Sequence, residues 1–128
     1  MRRVFTTMAV SLFWLVTAAG AQVINWSDPV ITINTREELE QFRDQVNGAA
    51  GMNFLGQTIM LGQDITLSGN WTPVGNDTRE FRGTFDGNGR TISGLNISSN
   101  LRTMIFAGLF GTVGHRGNGK LFGVYSNV

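Results

Sequence analysis

Cysteine is absent from this sequence, proline occurs only twice, and lysine occurs once, at Lys120. Without cysteine the chain can form no disulfide, thiolate zinc site or cysteine nucleophile, so its stability must come from core packing or from a larger structure. The 17 glycines, with so few prolines, indicate frequent tight turns between short strands and not a proline-rich linker.

Long apolar runs are equally scarce, and the one that is present lies at the N-terminus. Arg2 and Arg3 precede an apolar stretch over residues 8–18, and Ala19 and Ala21 are the small residues that a signal peptidase requires. The stretch is shorter than the roughly 20 residues of a membrane-spanning helix. Residues 1–21 are therefore predicted to be a secretory signal peptide, and the mature chain is predicted to be exported without a membrane span.

An excess of charge of one sign is lacking as well. The full chain has 10 basic and 9 acidic residues, and removal of Arg2 and Arg3 with the predicted leader leaves 8 basic residues against 9 acidic ones. No basic cluster remains, which argues against a nucleic acid or an anionic membrane as a partner. Removing 21 of the 128 residues leaves 107, enough for one small domain.

What the sequence does contain begins with a short strand and one helix, within residues 22–50. The alternation over Val30–Ile33 predicts the strand. Thr35 and Glu38 then stand three residues apart, as in a capping box, in which the Thr35 hydroxyl accepts from the Glu38 amide and the Glu38 carboxylate accepts from the Thr35 amide.

The helix itself is predicted from its apolar spacing. Leu39, Phe42 and Val46 fall on one face while charged residues occupy the others, and Asn47-Gly48 supplies the stop. We expect this amphipathic helix to cover the apolar end of the strands that follow.

Residues 51–128 change to the period of β-strands. Short strands are predicted at 58–61, 64–67, 81–85, 91–97, 107–113 and 121–128. The turn Asp86-Gly87-Asn88-Gly89 joins two of them, and its two glycines are expected to adopt positive φ angles. Gly108 and Gly111 are expected to allow close approach between neighbouring strands.

Two internal similarities indicate a repeated strand–turn unit. Ile59 and Ile92 begin similar strands 33 residues apart, and residues 107–111 are similar to residues 119–123, 12 residues later. Such units favour a mainly β fold, the start of a right-handed parallel β-helix (a solenoid) with the helix as its N-terminal cap. The β-helix coils over residues 51–128 read as truncated at the C-terminal end, and an uncovered strand edge there predicts self-association.

Six segments occur in a characteristic order along the mature chain. They are Thr35-Arg36-Glu37-Glu38-Leu39, Asp64-Ile65-Thr66-Leu67-Ser68-Gly69, Trp71-Thr72-Pro73-Val74-Gly75, Phe81-Arg82-Gly83-Thr84-Phe85-Asp86-Gly87-Asn88-Gly89, Thr91-Ile92-Ser93-Gly94-Leu95 and Gly108-Leu109-Phe110-Gly111. This order resembles that of the GLUG-motif repeat family of bacterial secreted and surface adhesin-like proteins, and the last segment resembles the motif that names the family.

The resemblance covers about residues 31–128 and implies a parallel β-helix, in some members joined to protease or other modules. It implies structural roles for the residues that match. These are Thr35, Glu38, Leu39, Phe42, Trp71, Pro73, Gly75, Phe85, Asp86, Gly87, Asn88, Gly89, Gly94, Leu95, Gly108, Leu109, Phe110 and Gly111. No catalytic residue, metal ligand or cofactor-binding residue is predicted.

The acidic side chains are the strongest candidates for catalytic residues in this sequence. Asp64, Asp77, Glu80 and Asp86 could together support cleavage of a polysaccharide, a reaction that parallel β-helices sometimes host. Turn formation is the simpler explanation for Asp64 and Asp86. The glycine-rich turn that Asp86 opens also lacks the ligand spacing of a calcium-binding loop.

Aromatic residues and the histidine offer further candidates. Trp26, Trp71 and Phe81 could stack on sugars, although core packing is the commoner role of aromatic residues in β proteins. His115 is the only histidine, and alone it cannot form a typical zinc site.

Two functions fit the sequence. The first is a non-catalytic surface or secreted adhesin-like interaction protein whose partner is an extracellular protein or glycan. The alternative is the N-terminal capping region of a larger β-helical enzyme, either polysaccharide-active or protease-associated. No cofactor is predicted.

We predict that the mature protein begins at Gln22, because Ala19 and Ala21 suit the signal-peptidase subsites. N-terminal sequencing of the exported protein should therefore read Gln22-Val23-Ile24. An intact Met1 on exported material would contradict this cleavage.

Overall fold

The computed structural model describes residues 23–97, 108–114, 120–122 and 126–127, so the predicted leader lies outside the described residues. The described elements are one strand, one helix and six further short strands. They are β1 (Val30–Ile33), α1 (Arg36–Asn47), β2 (Thr58–Leu61), β3 (Ile65–Thr66), β4 (Thr84–Asp86), β5 (Ile92–Ser93), β6 (Lys120–Phe122) and β7 (Ser126–Asn127).

The strands form two small sheets in which the strand order follows the chain. The first sheet has the order β1-β2-β4-β6 and the second has the order β3-β5-β7. Every pairing is parallel, so each pass of the chain runs in the same direction as the one before it. A parallel β-helix requires such stacking, and the right-handed β-helix stays a prediction.

Hydrophobic alternation sets the register of both sheets. Ile31 pairs with Ile59, which pairs with Phe85, and all three side chains are buried. In the second sheet Ile65 pairs with Ile92 in the same way. A shift of one residue would turn these side chains towards solvent, which makes the observed register strongly preferred.

The spacing between stacked positions is uneven. Ile31 and Ile59 are 28 residues apart, Ile59 and Phe85 are 26 apart, and Phe85 and Leu121 are 36 apart. The sheet therefore keeps its register although successive passes differ in length.

Helix α1 begins with the predicted capping box. Thr35 Oγ1 accepts from the Glu38 amide at 3.2 Å, and Glu38 Oε2 accepts from the Thr35 amide at 3.3 Å. The same carboxylate oxygen accepts from the Asn34 amide at 2.6 Å, a bond that the sequence did not predict. These amides compensate for the burial of Glu38, which is 7% exposed.

The predicted apolar face and end of α1 are also observed. Leu39, Phe42 and Val46 are buried, and the helix ends at Asn47. Gly48 follows in an extended conformation and donates its amide to the Asp44 carbonyl. A Cβ at Gly48 would lie 2.5 Å from that carbonyl oxygen, so close packing, and not a left-handed conformation, requires glycine here.

Phe42 lies in an aromatic cluster that forms the centre of the core. Its ring centroid is 5.3 Å from that of Phe54 and 5.4 Å from that of Phe81, both in edge-on geometry. It is 6.0 Å from Phe85, in a stacked geometry, and 6.3 Å from Phe110. The helix thus contributes one ring to a cluster whose other rings come from successive passes of the chain.

Three predicted strands are shorter in the structure. The segments predicted at 64–67, 81–85 and 91–97 contain only β3, β4 and β5. Gly69 and Gly94 adopt positive φ angles just beyond β3 and β5, which bends the chain out of the extended conformation.

The two predicted internal repeats do not join equivalent positions. Ile59 belongs to β2 in the first sheet, whereas Ile92 belongs to β5 in the second. Phe110 forms a bridge with Val74, whereas the corresponding Phe122 lies in β6 of the first sheet. The similarities arise because different rows of the stack use the same apolar residues and glycine turns.

Truncation of the Phe42 ring should remove the main contact between α1 and the stacked strands. We expect Phe42→Ala to lower the free energy of unfolding by about 3–5 kcal/mol, measured by denaturant titration. Gln41→Ala, on the exposed side of the same helix, is the control and should change it by less than about 0.5 kcal/mol. A loss below about 1 kcal/mol for Phe42→Ala would show that the ring is not docked in the core.

Candidate functional site

Two segments that resemble the family motifs pair with each other in a third row of parallel strands. Val74 forms an isolated parallel bridge with Phe110. The Val74 amide donates to the Leu109 carbonyl at 2.9 Å, and the Gly111 amide donates to the Val74 carbonyl at 2.8 Å. The structure therefore brings together motif residues that are more than 30 positions apart in sequence.

Trp71 supports this pairing from within the core. It is 4% exposed, and its Nε1 donates to the Leu109 carbonyl at 3.1 Å. The Arg43 guanidinium lies 5.0 Å from the ring centroid, within the range of a cation–π interaction. Since Trp71 and Phe81 are both buried, neither offers an exposed ring for a sugar, and Trp26 is half-buried against Phe54.

Asn47, the last residue of α1, binds the same row with both ends of its side chain. Its Nδ2 donates to the Pro73 carbonyl at 2.8 Å, and its Oδ1 accepts from the Gly75 amide at 2.8 Å. The sequence identified Asn47 only as part of the helix stop. A terminal asparagine is a signal for side-chain to main-chain bonding, but nothing in the local sequence specifies partners 26 and 28 residues away.

The turn that begins at Asp86 is held by side-chain bonds to the main chain. Asp86 Oδ1 accepts from the Asn88 amide at 2.9 Å, and Asn88 Nδ2 donates to the Leu61 carbonyl at 3.0 Å. The positive φ angles belong to Asn88 (50°) and Gly89 (67°). The prediction of a positive φ at Gly87 is therefore wrong, because Asn88 takes the left-handed conformation that asparagine tolerates.

Close approach of neighbouring segments explains Gly111. A Cβ on Gly111 would collide with the Gly75 carbonyl oxygen in the paired segment. Among the described residues, a Cβ on Gly108 would meet the Phe110 main chain, at 3.3 Å, within its own segment. The expectation of a close contact between strands stays a prediction for Gly108.

The apolar motif residues are part of the core. The apolar motif side chains that are buried are Leu39, Phe42, Trp71, Phe85, Leu95 and Leu109. Phe110 is half-buried and packs against this core. His115 lies outside the described residues.

The four acidic candidates lie in two different regions. Asp64 precedes β3 and Asp86 ends β4, whereas Asp77 and Glu80 belong to a separate turn before the Phe81 bridge. Asp64 Oδ1 accepts from a main-chain amide 27 residues away at 2.9 Å. Glu80 forms an ion pair with a neighbouring arginine. Turn formation therefore explains Asp86, whereas the Asp64 carboxylate joins two distant segments of the chain.

Uncharged polar side chains from neighbouring segments lie side by side on and just beyond the second sheet, here called the polar ladder and formed by Thr66, Ser93, Asn70 and Asn96. Thr66 and Ser93 are register partners whose hydroxyl oxygens are 3.2 Å apart. Asn96 Nδ2 lies 3.4 Å from Asn70 Oδ1. Hydroxyl and amide groups are both donors and acceptors, so each retains bonding capacity towards solvent or a ligand.

Charged residues beside the polar ladder are engaged in bonds of their own. Arg36 donates to the Ser68 hydroxyl at 2.6 Å and to Glu40 at 3.0 Å. Asp64, at the other end, accepts the main-chain amide described above. The exposed groups of the ladder itself are therefore neutral.

No protein-family model, curated protein or solved structure matches the chain. Within the described residues, no helix has the length and apolar character needed to cross a bilayer. In the same part of the chain, no three His, Cys, Asp or Glu side chains are placed to hold a metal ion together.

Loss of the Asn47 side chain should leave a main-chain donor and acceptor without partners. We expect Asn47→Ala to lower the free energy of unfolding by about 1–3 kcal/mol, because the Gly75 amide and the Pro73 carbonyl are then unsatisfied. Asn70→Ala is the control, since Asn70 is exposed and its substitution should change the free energy of unfolding by less than about 0.5 kcal/mol. Equal losses in thermal or denaturant unfolding would contradict a docking role for Asn47.

Substitutions at two glycines with similar φ angles distinguish the cost of backbone strain from the cost of a steric clash. Gly89 and Gly94 have φ angles of 67° and 73°, but only a Cβ on Gly94 meets a neighbour, the Leu67 carbonyl oxygen. We expect Gly89→Ala to cost roughly 1–2 kcal/mol. Gly94→Ala should cost at least about 1 kcal/mol more, since the adjacent main chain must also move. Equal unfolding midpoints for the two variants would show that the stacked segments are not in close contact at Gly94.

Proposed function

We propose that the chain is an exported, non-catalytic, adhesin-like interaction protein of the GLUG-motif type, built on a right-handed parallel β-helix. Its binding surface is the polar ladder, and its ligand is a neutral extracellular glycan. The observation that carries this proposal is the pairing of two hydroxyl groups in the second sheet and of two amide groups just beyond it.

The chemistry of the polar ladder favours a polyhydroxylated ligand. Thr66 and Ser93 bring two hydroxyl groups side by side, and Asn70 and Asn96 bring two amides side by side. The two hydroxyl oxygens are 3.2 Å apart and the two amide groups are 3.4 Å apart, so the ladder presents two closely spaced pairs of groups that can donate and accept. A neutral sugar chain has hydroxyl groups to pair with them and no charge that would require a counter-charge.

The distribution of exposed apolar side chains speaks against a protein ligand on this face. Protein interfaces are centred on buried apolar and aromatic anchors. Among the residues that the structure describes, the large apolar side chains that are exposed are Val23, Val30 and Leu55, and none of them belongs to the second sheet.

The bonds of the acidic side chains support a non-catalytic role. A general acid and a nucleophile or base must face one substrate bond from a short distance. Asp86 instead accepts a main-chain amide within its own turn, and Asp64 accepts one from a segment 27 residues away. Asp77 and Glu80 belong to a different turn.

Binding of the exported protein to a panel of soluble neutral polysaccharides (dextran, mannan, xylan and galactan) tests the proposal. We expect saturable binding to at least one of them, and a decrease in affinity of at least about tenfold for the double variant Thr66→Ala/Ser93→Ala, because a polar pair to a ligand contributes on the order of 1–2 kcal/mol. Thr58→Ala/Thr84→Ala removes a register pair from the first sheet and should leave the affinity unchanged.

The same panel separates binding from catalysis. Assays for hydrolysis and elimination should show no turnover. Turnover that Asp86→Ala abolishes without unfolding the protein would refute the non-catalytic proposal. Equal affinities of the Thr66→Ala/Ser93→Ala and Thr58→Ala/Thr84→Ala variants would show that the polar ladder is not the glycan-binding surface.

A further inference from the structure

Strand β1 forms one edge of the first sheet and uses only one of its two sides. The carbonyls of Pro29 and Ile33 accept from amides on the β2 side. Because successive residues of a strand direct their main-chain groups to opposite sides, the groups of Ile31 also face β2, while those of Val30 and Thr32 face away. No described residue bonds to the outward N–H and C=O groups of Val30 and Thr32.

The polar contacts of helix α1 do not involve this edge. They run from Arg36 to Ser68 and from Asn47 to Pro73. A groove of about 220 Å³ is lined by the lead-in segment and by Val30, Ile31 and Thr32, and by no residue of β2.

We propose that this edge pairs with the same edge of a second copy of the chain, antiparallel, about a two-fold axis that passes between the two Ile31 residues. In this register Val30 of each copy lies opposite Thr32 of the other. Each such pair exchanges two main-chain bonds, so the four outward N–H and C=O groups of each copy are all used, in four hydrogen bonds. A two-fold arrangement is closed and is the commonest symmetry of homodimers.

The sequence of β1 makes the edge its own complement. The segment Val-Ile-Thr-Ile carries no charge, so two copies meet without repulsion. Charged side chains and prolines are the usual protection of an exposed edge. Pro29 does not protect it, since the missing N–H of Pro29 belongs to the side that faces β2. Val30, 52% exposed, gains an apolar contact with the methyl group of the opposite Thr32.

The dimer adds to the proposed function without depending on it. The polar ladder lies on the second sheet and the β1 edge on the first, so pairing leaves the ladder free. Two ladders in one particle would strengthen attachment to a repeating polysaccharide through multivalency. Dimer formation is measured without any glycan, so its failure and the failure of glycan binding are separate results.

Single-cysteine variants test the register, because the natural chain has no cysteine. Paired Cα atoms of hydrogen-bonded antiparallel residues are about 5.5 Å apart, within reach of a disulfide. The Cα atoms of the two Val30 residues would be roughly 9 Å apart, beyond that reach. Under oxidised glutathione, which accepts the two electrons and protons of the two thiols, a mixture of Val30→Cys and Thr32→Cys should give at least tenfold more covalent dimer than either variant alone.

Leu55→Cys is the control for random collision, because Leu55 is 58% exposed and lies outside the first sheet. Mixed with Thr32→Cys, it should give no more covalent dimer than the single variants do. An equal yield from Val30→Cys alone and from the mixture would overturn the proposed register.

Sedimentation of the exported protein tests the dimer itself. We expect a reversible monomer–dimer equilibrium in which Val30→Lys raises the dissociation constant at least tenfold, whereas Leu55→Lys leaves it unchanged. Thermal unfolding should show that both lysine variants are folded. A protein that stays monomeric up to about 1 mM, or an equal effect of the two lysines, would overturn the proposal.

Discussion

The burial of the Phe42 ring is the interaction on which the rest of the structure depends. A twelve-residue helix is marginal in water by itself, and so are strands of two to four residues. Each becomes stable only when its apolar side is covered. Phe42 provides that cover for both, because one ring from the helix contacts rings on three later segments of the chain, Phe54, Phe81 and Phe85 among them.

Polar contacts determine how the helix lies on the strands. Apolar packing is not directional, and a helix with three buried residues could rotate or slide on an aromatic surface. Arg36 binds Ser68 near the start of the helix, and Asn47 binds the Pro73 carbonyl at its end. Two polar contacts at opposite ends of one helix leave a single orientation, so the aromatic cluster supplies the energy and these bonds supply the geometry.

Local features of the fold could be predicted from the sequence, and distant pairings could not. The capping box involves residues three apart, and β1 and β2 alternate clearly, so local rules suffice for them. The pairing of Val74 with Phe110 depends on a segment 36 residues away, and its strand signal is a single bridge. The apparent 33-residue repeat was misleading because Ile59 and Ile92 lie in different sheets.

The candidate site shows the same division. The roles of Asp86 and Asn88 in a turn follow from short-range chemistry, although the sequence placed the positive φ on Gly87 instead of Asn88. The polar ladder was not predicted at all. Thr66 and Ser93 are ordinary surface residues in the sequence, and only the 27-residue register puts their hydroxyl groups side by side.

The uneven spacing also shows where the chain can change its length. The Trp71 amide donates to the Asn96 carbonyl, whereas the Val74 amide, three residues later, donates to the Leu109 carbonyl, thirteen residues beyond Asn96. The second segment therefore has ten more residues than the first between these two hydrogen bonds, and the pairing on either side is kept. The entropic free-energy cost of joining two fixed ends rises by only about 0.6 kcal/mol when the connecting segment doubles in length. A longer connection at this position would therefore lower the stability of the fold only slightly. A foreign epitope or a new recognition sequence could therefore be inserted after Asn96 while the core sequence stays the same.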